Sequence, residues 1–542
     1  MEMSTEVPMP KVTAHDPWVG QAAPMQYIPK TTPLDHQRKQ FEEHGLEPAW
    51  ALLWEQGTGK TKELLDEMGA LIAKGAVDAV IVIAPNGVHM NWLNDEIPKH
   101  VPDELRERLH PHVYQTIKAE TKWHQRALDR CIKSAGIPML LFSYDGFVTP
   151  KGKKAAWRLL QHKNVLFIAD EAHHIKTPGA QRTKTILAAS KYTNHKRIST
   201  GTPVAVGPFD LYAQLKFVKF DVWDEIGCST FSAFKTFFGV WEKGYNKKQG
   251  REYDVLVSYR NLHILNEILG KISSRVLKED VLDLPPKLYT NRYYDMTPKQ
   301  RELYEALREE FMIDWGDGRI TNASLAIVRL LRFQQVLCGY IPFEDEMGNK
   351  GVEMIAGKNP RLDCLHEAIE DLPHQGIVWA RFTKDLDLII DRLKGDGKKI
   401  SRYDGTMTDE QLLKSKQAFN AGETDFFVGN QAMGAEGLTL NGAKSTFYYN
   451  NTFRFIHRLQ SEDRNHRIGQ DGAEHEVHVQ EDPYAQWQDE PPPKVQSKQV
   501  GVLYTDLICQ DSVDEHFIRN LLRKQDVASK ITGDQLKSWI ST

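Results

Sequence analysis

A chain of 542 residues is too long for one ordinary domain and predicts two or three, each able to bury its own core. The net charge of −4 argues against a globally basic, nucleic-acid-coating surface but leaves room for a local basic groove. No run approaches the ~20 apolar residues that span a bilayer, and the first 20 residues lack the basic-then-apolar order of a secretory signal, so an intracellular protein is expected.

Residues 1–30 carry Pro8, Pro10, Pro17, Pro24 and Pro29 without apolar periodicity and read as an extended arm. From Ala49 the pattern becomes an α/β alternation. Ala49–Trp54 is a buried strand, followed by a glycine turn and a helix over 61–74. Ala79–Ala84, Met139–Phe142 and Val165–Ile168 are continuous apolar runs of the kind found in parallel strands covered on both faces, and Arg197–Thr200 continues the series. Residues 205–280 read as helices projecting from this first lobe, with a polar patch over 242–252 and no strand. Leu284-Pro285-Pro286-Lys287 favours an extended connector, and residues 296–338 look helical. Alternation resumes at Gly376–Ala380 and runs through 425–428 and 445–449. Glu481–Gln499, with Pro491-Pro492-Pro493, is a polar loop before a last strand at 500–504, and the chain is helical from Ser512. The fold class is therefore α/β: two tandem doubly wound parallel-sheet lobes (31–285 and 286–542), with helical protrusions at about 205–280 and 290–345.

Three clusters carry chemistry. Gly57-Thr58-Gly59-Lys60-Thr61 follows a strand and opens a helix, the setting of a phosphate loop. Its glycines let backbone N–H groups approach phosphate oxygens, and the helix N-terminus adds partial positive charge. Lys60 would reach the terminal phosphates and the Thr61 hydroxyl would hold magnesium. The strict pattern wants glycine where Trp54 stands. Asp170-Glu171-Ala172-His173 ends the 165–168 strand, with Asp170 suited to magnesium and Glu171 to orienting and deprotonating water. His173 reads as a link toward the second lobe. Far downstream, Arg464 and Arg467 are three apart and share a face if helical. Phosphate cradle, carboxylate pair and distant arginines are the parts of a nucleotide triphosphatase using ATP and Mg2+. The five cysteines (131, 228, 338, 364, 509) lack paired spacing, which gives neither a disulfide framework nor a zinc site.

Over about residues 30–535 the chain resembles the Swi/Snf-type branch of the superfamily two helicase-like ATPases, with RecA-like lobes. His36-Gln37 resembles its adenine-reading element, with Gln37 as the base contact. Pro85–Trp92 with Glu96, and Ser143-Tyr144-Asp145, resemble segments that touch the DNA backbone. Ser199–Pro203 resembles the element coupling hydrolysis to movement. Residues 377–382 resemble the opening of lobe two. Gly434–Leu440 resembles a DNA and nucleotide element in which Gly437 faces the nucleotide, although Thr439 stands where asparagine is common. Gln460, Arg464 and Arg467 match the last motif. Arg275–Lys278 with Leu284–Lys287 resembles the inter-lobe stretch, and Ser512–Glu515 with Lys524 the closing helix; Asn450–Phe453 departs from the usual pattern.

The resemblance implies a monomeric, ATP-dependent translocase on double-stranded DNA, gripping backbone with little sequence preference and remodelling DNA structures or DNA–protein complexes. It points to a compact stand-alone bacterial or viral member, cytoplasmic in that case. A strand-separating DNA or RNA helicase is the alternative, though no segment announces a wedge; the motor subunit of a restriction or defence assembly is another. Lys151–Lys154 and Lys247-Lys248 read as solvated loops, and Trp223, Phe231, Phe234, Phe237, Phe238 and Trp241 as core rather than a base-stacking platform.

Overall fold

The computed structural model describes residues 27–518 except 162, 205–206, 247–250, 317–322, 345–349, 371, 435–437, 453–454, 468, 476–498 and 516. Most of the N-terminal arm, most of the proline-rich loop, Gly437, Lys247, Lys248 and Lys524 lie outside the described residues.

Each lobe is built on a parallel sheet. The first joins β1 (Ala49–Leu52), β2 (Ala79–Ala84), β3 (Leu109–Val113), β4 (Ile137–Ser143), β5 (Val165–Asp170) and β6 (His195–Ser199). Its order is β3-β4-β2-β5-β6-β1, and a two-residue strand that closes it comes from far along the chain. Every residue of β2 and β5 is buried because side chains leave a strand on alternate faces and both faces are covered. Ile81, Ile83 and Phe167 enter one core, and Val80, Val82 and Ile168 enter the other.

Residues 205–280 depart from the helical expectation. Helices at Leu211–Val218 and Phe231–Phe238 form, and Trp223, Phe234 and Phe238 are buried core. They are followed by an antiparallel hairpin of β7 (Gly239–Asn246) and β8 (Arg251–Tyr259). Tyr253, Val255, Val257 and Tyr259 alternate with Asp254, Leu256 and Ser258, a period of two that marks a strand just after the polar patch. β9 (Ser273–Ser274) then returns to pair with β1.

The second sheet contains β10 (Lys287–Tyr294), β13 (Gly376–Ala380), β14 (Ile400–Tyr403), β15 (Phe426–Asn430), β16 (Ser445–Tyr448) and β18 (Gln499–Cys509), in the order β10-β18-β16-β13-β15-β14. Its pairs are parallel; β17 (Ala473–His475) adds antiparallel to β18, and β11 (Tyr340–Glu344) with β12 (Lys350–Met354) forms a separate hairpin. Ile377 and Trp379 enter one core, Val378 and Ala380 the other. Helices Pro298–Gly316 and Ala323–Leu337 intervene between β10 and β11.

Two buried ion pairs fasten these layers. Arg197, fully buried on β6, donates from Nε to Glu67 at 2.5 Å and caps the carbonyls of Gly45 and Glu47 at 3.1 and 2.7 Å. In lobe two, buried Arg361 donates to Tyr294 and to Asp514, tying the start of the Pro360–Ile369 helix to the segment after β18. Among the described residues no helix is long and apolar enough to cross a membrane, and all five cysteines are free.

Arg197→Leu should lower stability by about 3–5 kcal/mol, because Glu67 is left charged and unpaired in the core. Denaturant midpoints would measure this. The double variant Arg197→Leu/Glu67→Leu should recover much of the loss, and an equal or larger loss in the double would contradict the pairing argument.

Candidate functional site

The phosphate loop leaves β1 and enters the Lys60–Ala73 helix. Gly57 and Gly59 hold φ of 85° and 84°, the left-handed region where glycine carries no Cβ penalty. Trp54, at the position where the strict pattern has glycine, is fully buried, and its indole donates to Ser274 Oγ at 2.9 Å. That bond anchors the base of the loop. Thr58 Oγ1 and Lys60 Nζ both donate to the Glu55 carbonyl, at 2.7 and 3.1 Å. Burial lowers the Lys60 pKa, while Glu171 and Asp170 act to keep its charge. Thr61 follows at the helix start. Gln37 lies over the loop, donating to the Gly59 carbonyl at 3.0 Å and accepting from Leu34 N at 2.8 Å; His36 Nε2 bonds the Thr58 carbonyl at 2.8 Å.

Asp170 sits at the carboxyl end of β5. One oxygen accepts from Ser199 Oγ at 2.6 Å and from Glu171 N at 3.0 Å, and the other from Trp92 Nε1 at 3.0 Å. Burial and the neighbouring Glu171 raise its pKa, while the Ser199 and Trp92 donors and the Lys60 charge act to lower it. Trp92 is therefore a buried orienting group, and Tyr144 OH donates to the Asp170 carbonyl at 2.8 Å, so both side chains named from the backbone-contact segments face inward.

Glu171 holds φ of 54°, rare for a non-glycine residue and a form of strain that gathers at functional sites. Burial acts to raise its pKa, but His173, Lys60 and Arg464 outweigh that and hold it at about 2. His173 Nδ1 lies 3.2 Å from Glu171 and 3.3 Å from Thr200 Oγ1, joining the carboxylate to the Ser199–Pro203 segment. His174 instead stacks on Tyr144.

The arginines reach this centre from lobe two. The helix Phe455–Glu462 stops short of them, so Arg464 and Arg467 lie in the following turn rather than on a helix face. The helix end is held by other contacts: Glu462 accepts from Lys287 at 3.0 Å and Tyr289 at 2.9 Å, and Asp463 is paired with Lys278. Arg464 is buried, donating to the Gln460 and Leu438 carbonyls at 2.6 and 3.1 Å and to Gln56 Oε1 at 2.5 Å. Arg467 donates to the Asp463 carbonyl at 2.8 Å and Thr439 Oγ1 at 3.0 Å, and its side chain packs over Gly57, where a Cβ would lie 3.3 Å away. Gln460 is buried with its Nε2 unpartnered.

Sequence reasoning missed one bridging residue, Gln56, and placed a second, Lys278, only as part of the inter-lobe stretch. Gln56 accepts from Arg464 while its amide lies 3.4 Å from Glu171, and its side chain packs where only a glycine fits at 201. Lys278 donates its backbone N–H to Glu55 at 2.6 Å, while its Nζ donates to Asp463 and, at 2.9 Å, to the His466 carbonyl. Neither is a motif chemistry residue, and the contacts that reveal them span 408 and 185 positions.

A buried lysine at a glycine-rich helix start, a buried carboxylate pair and two arginines from a facing lobe fit a magnesium–nucleotide triphosphate. Thr61 and Asp170 would hold the ion. Such an assembly, split between two parallel-sheet lobes, is suited to a nucleotide held between them. The chain belongs to the SNF2-related family: the SNF2-related domain matches residues 45–338, and the helicase conserved C-terminal domain matches residues 360–469. It is 26% identical over 430 residues to an ISWI chromatin-remodeling complex ATPase of Arabidopsis thaliana, covering 77% of this chain and 37% of that protein. Against nuclear protein STH1/NPS1 of Saccharomyces cerevisiae the identity is 25% over 505 residues, 88% of this chain and 33% of the relative. The chain thus spans about a third of the length of these relatives. A solved Sulfolobus solfataricus SWI2/SNF2 ATPase core in complex with dsDNA aligns over 94% of this chain and 96% of its own, at 19% identity and a TM-score of 0.38.

Burial pulls the Lys278 pKa down to about 8 despite Asp463, whose own carboxyl is held well below its usual range. The Lys278 charge that joins Asp463 is thus present below about pH 8 and lost above it. Nucleotide turnover should fall as pH rises through about 8. Lys278→Arg, charged throughout, should remove that alkaline limb; a pH–rate profile with the same limb in both proteins would dissociate it from Lys278.

Proposed function

We propose that the chain is an ATP-dependent double-stranded DNA translocase, a monomeric intracellular motor that couples hydrolysis to movement of its two lobes along a duplex. The observation that carries this reading is the convergence of Arg464 and Arg467 on the phosphate loop and on Glu171. Lys60 and the loop amides would bind the β and γ phosphates, with Gln37 reading the base. Thr61 and Asp170 would hold magnesium, which would supply positive charge to offset that of the phosphates. Glu171 would orient the attacking water. Its low pKa suits an orienting carboxylate, and phosphate charge nearby would raise its basicity. Arg464 and Arg467 would stabilise the charge of the transition state, a contribution of about 10³–10⁵ in rate. Because they belong to the other lobe, hydrolysis and lobe closure are coupled, and His173–Thr200 gives the change a path into the Ser199–Pro203 segment. The longer Arabidopsis relative, an ATPase of a chromatin-remodeling complex, is in keeping with a DNA partner.

Lys60→Ala should abolish nucleotide binding and turnover together, while Glu171→Gln keeps binding and stops hydrolysis. Arg464→Ala and Arg467→Ala should each retain ATP affinity and lose about 10³-fold or more in turnover. Fluorescent-nucleotide binding beside a phosphate-release assay separates these cases. If either arginine variant lost binding as completely as Lys60→Ala, the two-lobe assignment would fail.

One observation favours the strand-separating alternative: the β7–β8 hairpin exposes Tyr245, Tyr253 and Val257, apolar groups of the kind a wedge requires. Triplex displacement decides between the two. A duplex tracker should expel a third strand in an ATP- and Lys60-dependent way while a forked duplex stays paired. Efficient fork unwinding without triplex displacement would replace the translocase by a helicase, and stimulation by RNA alone would reject DNA as the track.

A further inference from the structure

The Lys122–Ile132 helix covers the edge of the first sheet, packing near β3 and β4. It turns His124, Leu128 and Cys131 inward and leaves Lys122, Arg126 and Arg130 exposed at i, i+4 and i+8. Lys118 before the helix and Lys133 after it are exposed too. Residues 116–133 contain two acids, Glu120 and Asp129, and both are engaged elsewhere: Glu120 pairs with Lys151, and Asp129 with Arg158 at 2.8 Å. Among the described residues Lys122, Arg126 and Arg130 form no ion pair. A chain of net charge −4 therefore keeps an unneutralised basic row on one helix face. At the row's margin Trp123 is 64% exposed, and Ile117 is 99% exposed on the preceding turn.

We propose that this face is a second contact surface for duplex DNA, binding its sugar–phosphate backbone. The proposal rests on the translocase reading and locates a grip apart from the nucleotide cleft. In the sheet order β3 is five strands from β1, so the row stands roughly 24 Å from the strand that feeds the phosphate loop. Charge complementarity selects a polyanion. Eight residues of helix rise about 12 Å, so Lys122, Arg126 and Arg130 run alongside three or four phosphates of one strand at ~3.4 Å axial spacing. Trp123 offers an apolar flank for sugar edges. The Glu120–Lys151 pair joins this segment to the helix starting at Pro150, and Thr116 Oγ1 would lie 3.2 Å from a Cβ at Gly146, so the face is fixed against the body of the lobe.

The test compares the full chain with Lys122→Gln/Arg126→Gln/Arg130→Gln and with a charge-matched control, Lys39→Gln/Lys74→Gln/Lys394→Gln, whose lysines are exposed elsewhere. Fluorescence anisotropy on a linear duplex between 50 and 200 mM KCl gives the salt dependence of binding. The helix variant should lower the slope of log K against log[salt] by about 2.7, three phosphate contacts at ~0.9 each, and the control by less than ~1. The DNA concentration for half-maximal ATPase stimulation should rise about tenfold or more in the helix variant, with DNA-free turnover and turnover at saturating DNA unchanged. A wild-type slope in the helix variant, or an equal loss in the control, overturns the proposal, and so would a loss only of binding to an acidic protein. If duplex DNA fails to stimulate even the wild-type ATPase, the translocase reading falls, while the anisotropy slopes still decide whether this face binds DNA.

Discussion

The pairing of β9 with β1 is the constraint on which the site depends. The strand that feeds the phosphate loop is bordered by Ser273-Ser274, and the hydrogen bonding continues past the sheet, with Leu53 N to the Ser274 carbonyl and Glu55 N to the Val276 carbonyl, both at 2.9 Å. Arg275 adds a bond to the Leu53 carbonyl at 2.6 Å. The segment leading out of lobe one is thereby fixed alongside the nucleotide loop and delivers Lys278 between Glu55 and Asp463. Loop, connector and arginine turn then form one hydrogen-bonded unit, so a shift of lobe two relative to lobe one is felt at the glycine-rich loop.

Electrostatics explains why this unit needs both lobes. Lys60, Lys278, Arg464 and Arg467 are buried or nearly so, as are Asp170, Glu171 and Asp463. Buried charges of one sign alone would cost several kcal/mol each, whereas opposed charges supplied from two lobes neutralise one another. Gln56, neutral and able to donate and accept, is suited to stand between Arg464 and Glu171 without adding to either charge.

Much of this was legible in the sequence because the signals are local. Continuous apolar runs announced β2, β4, β5, β13 and β16, and the glycines and lysine of 57–61 announced the loop. β3, with two histidines and a proline among its five residues, and short β14 carried no such run and went unread. The β7–β8 hairpin was read as helical because its charged residues masked the alternation of Tyr253 through Tyr259. Arg464 and Arg467 were found by spacing, yet their backbone is a turn, because Lys278, Lys287 and Tyr289 hold the end of the preceding helix, an override by residues some 170–190 positions away. Gly437 and most of the proline-rich loop fall outside the described residues.

The Arg361–Asp514 pair sets where the chain can be shortened. Asp514 lies after the last strand of lobe two, but its carboxylate serves a guanidinium buried beneath Tyr294 and Tyr449, in the middle of the lobe. A cut just beyond Cys509 would spare every strand of the sheet and still leave that guanidinium without its carboxylate in the interior. The functional end of the second lobe is therefore defined by an ion pair rather than by its last strand, and any minimal fragment has to carry the chain past residue 514.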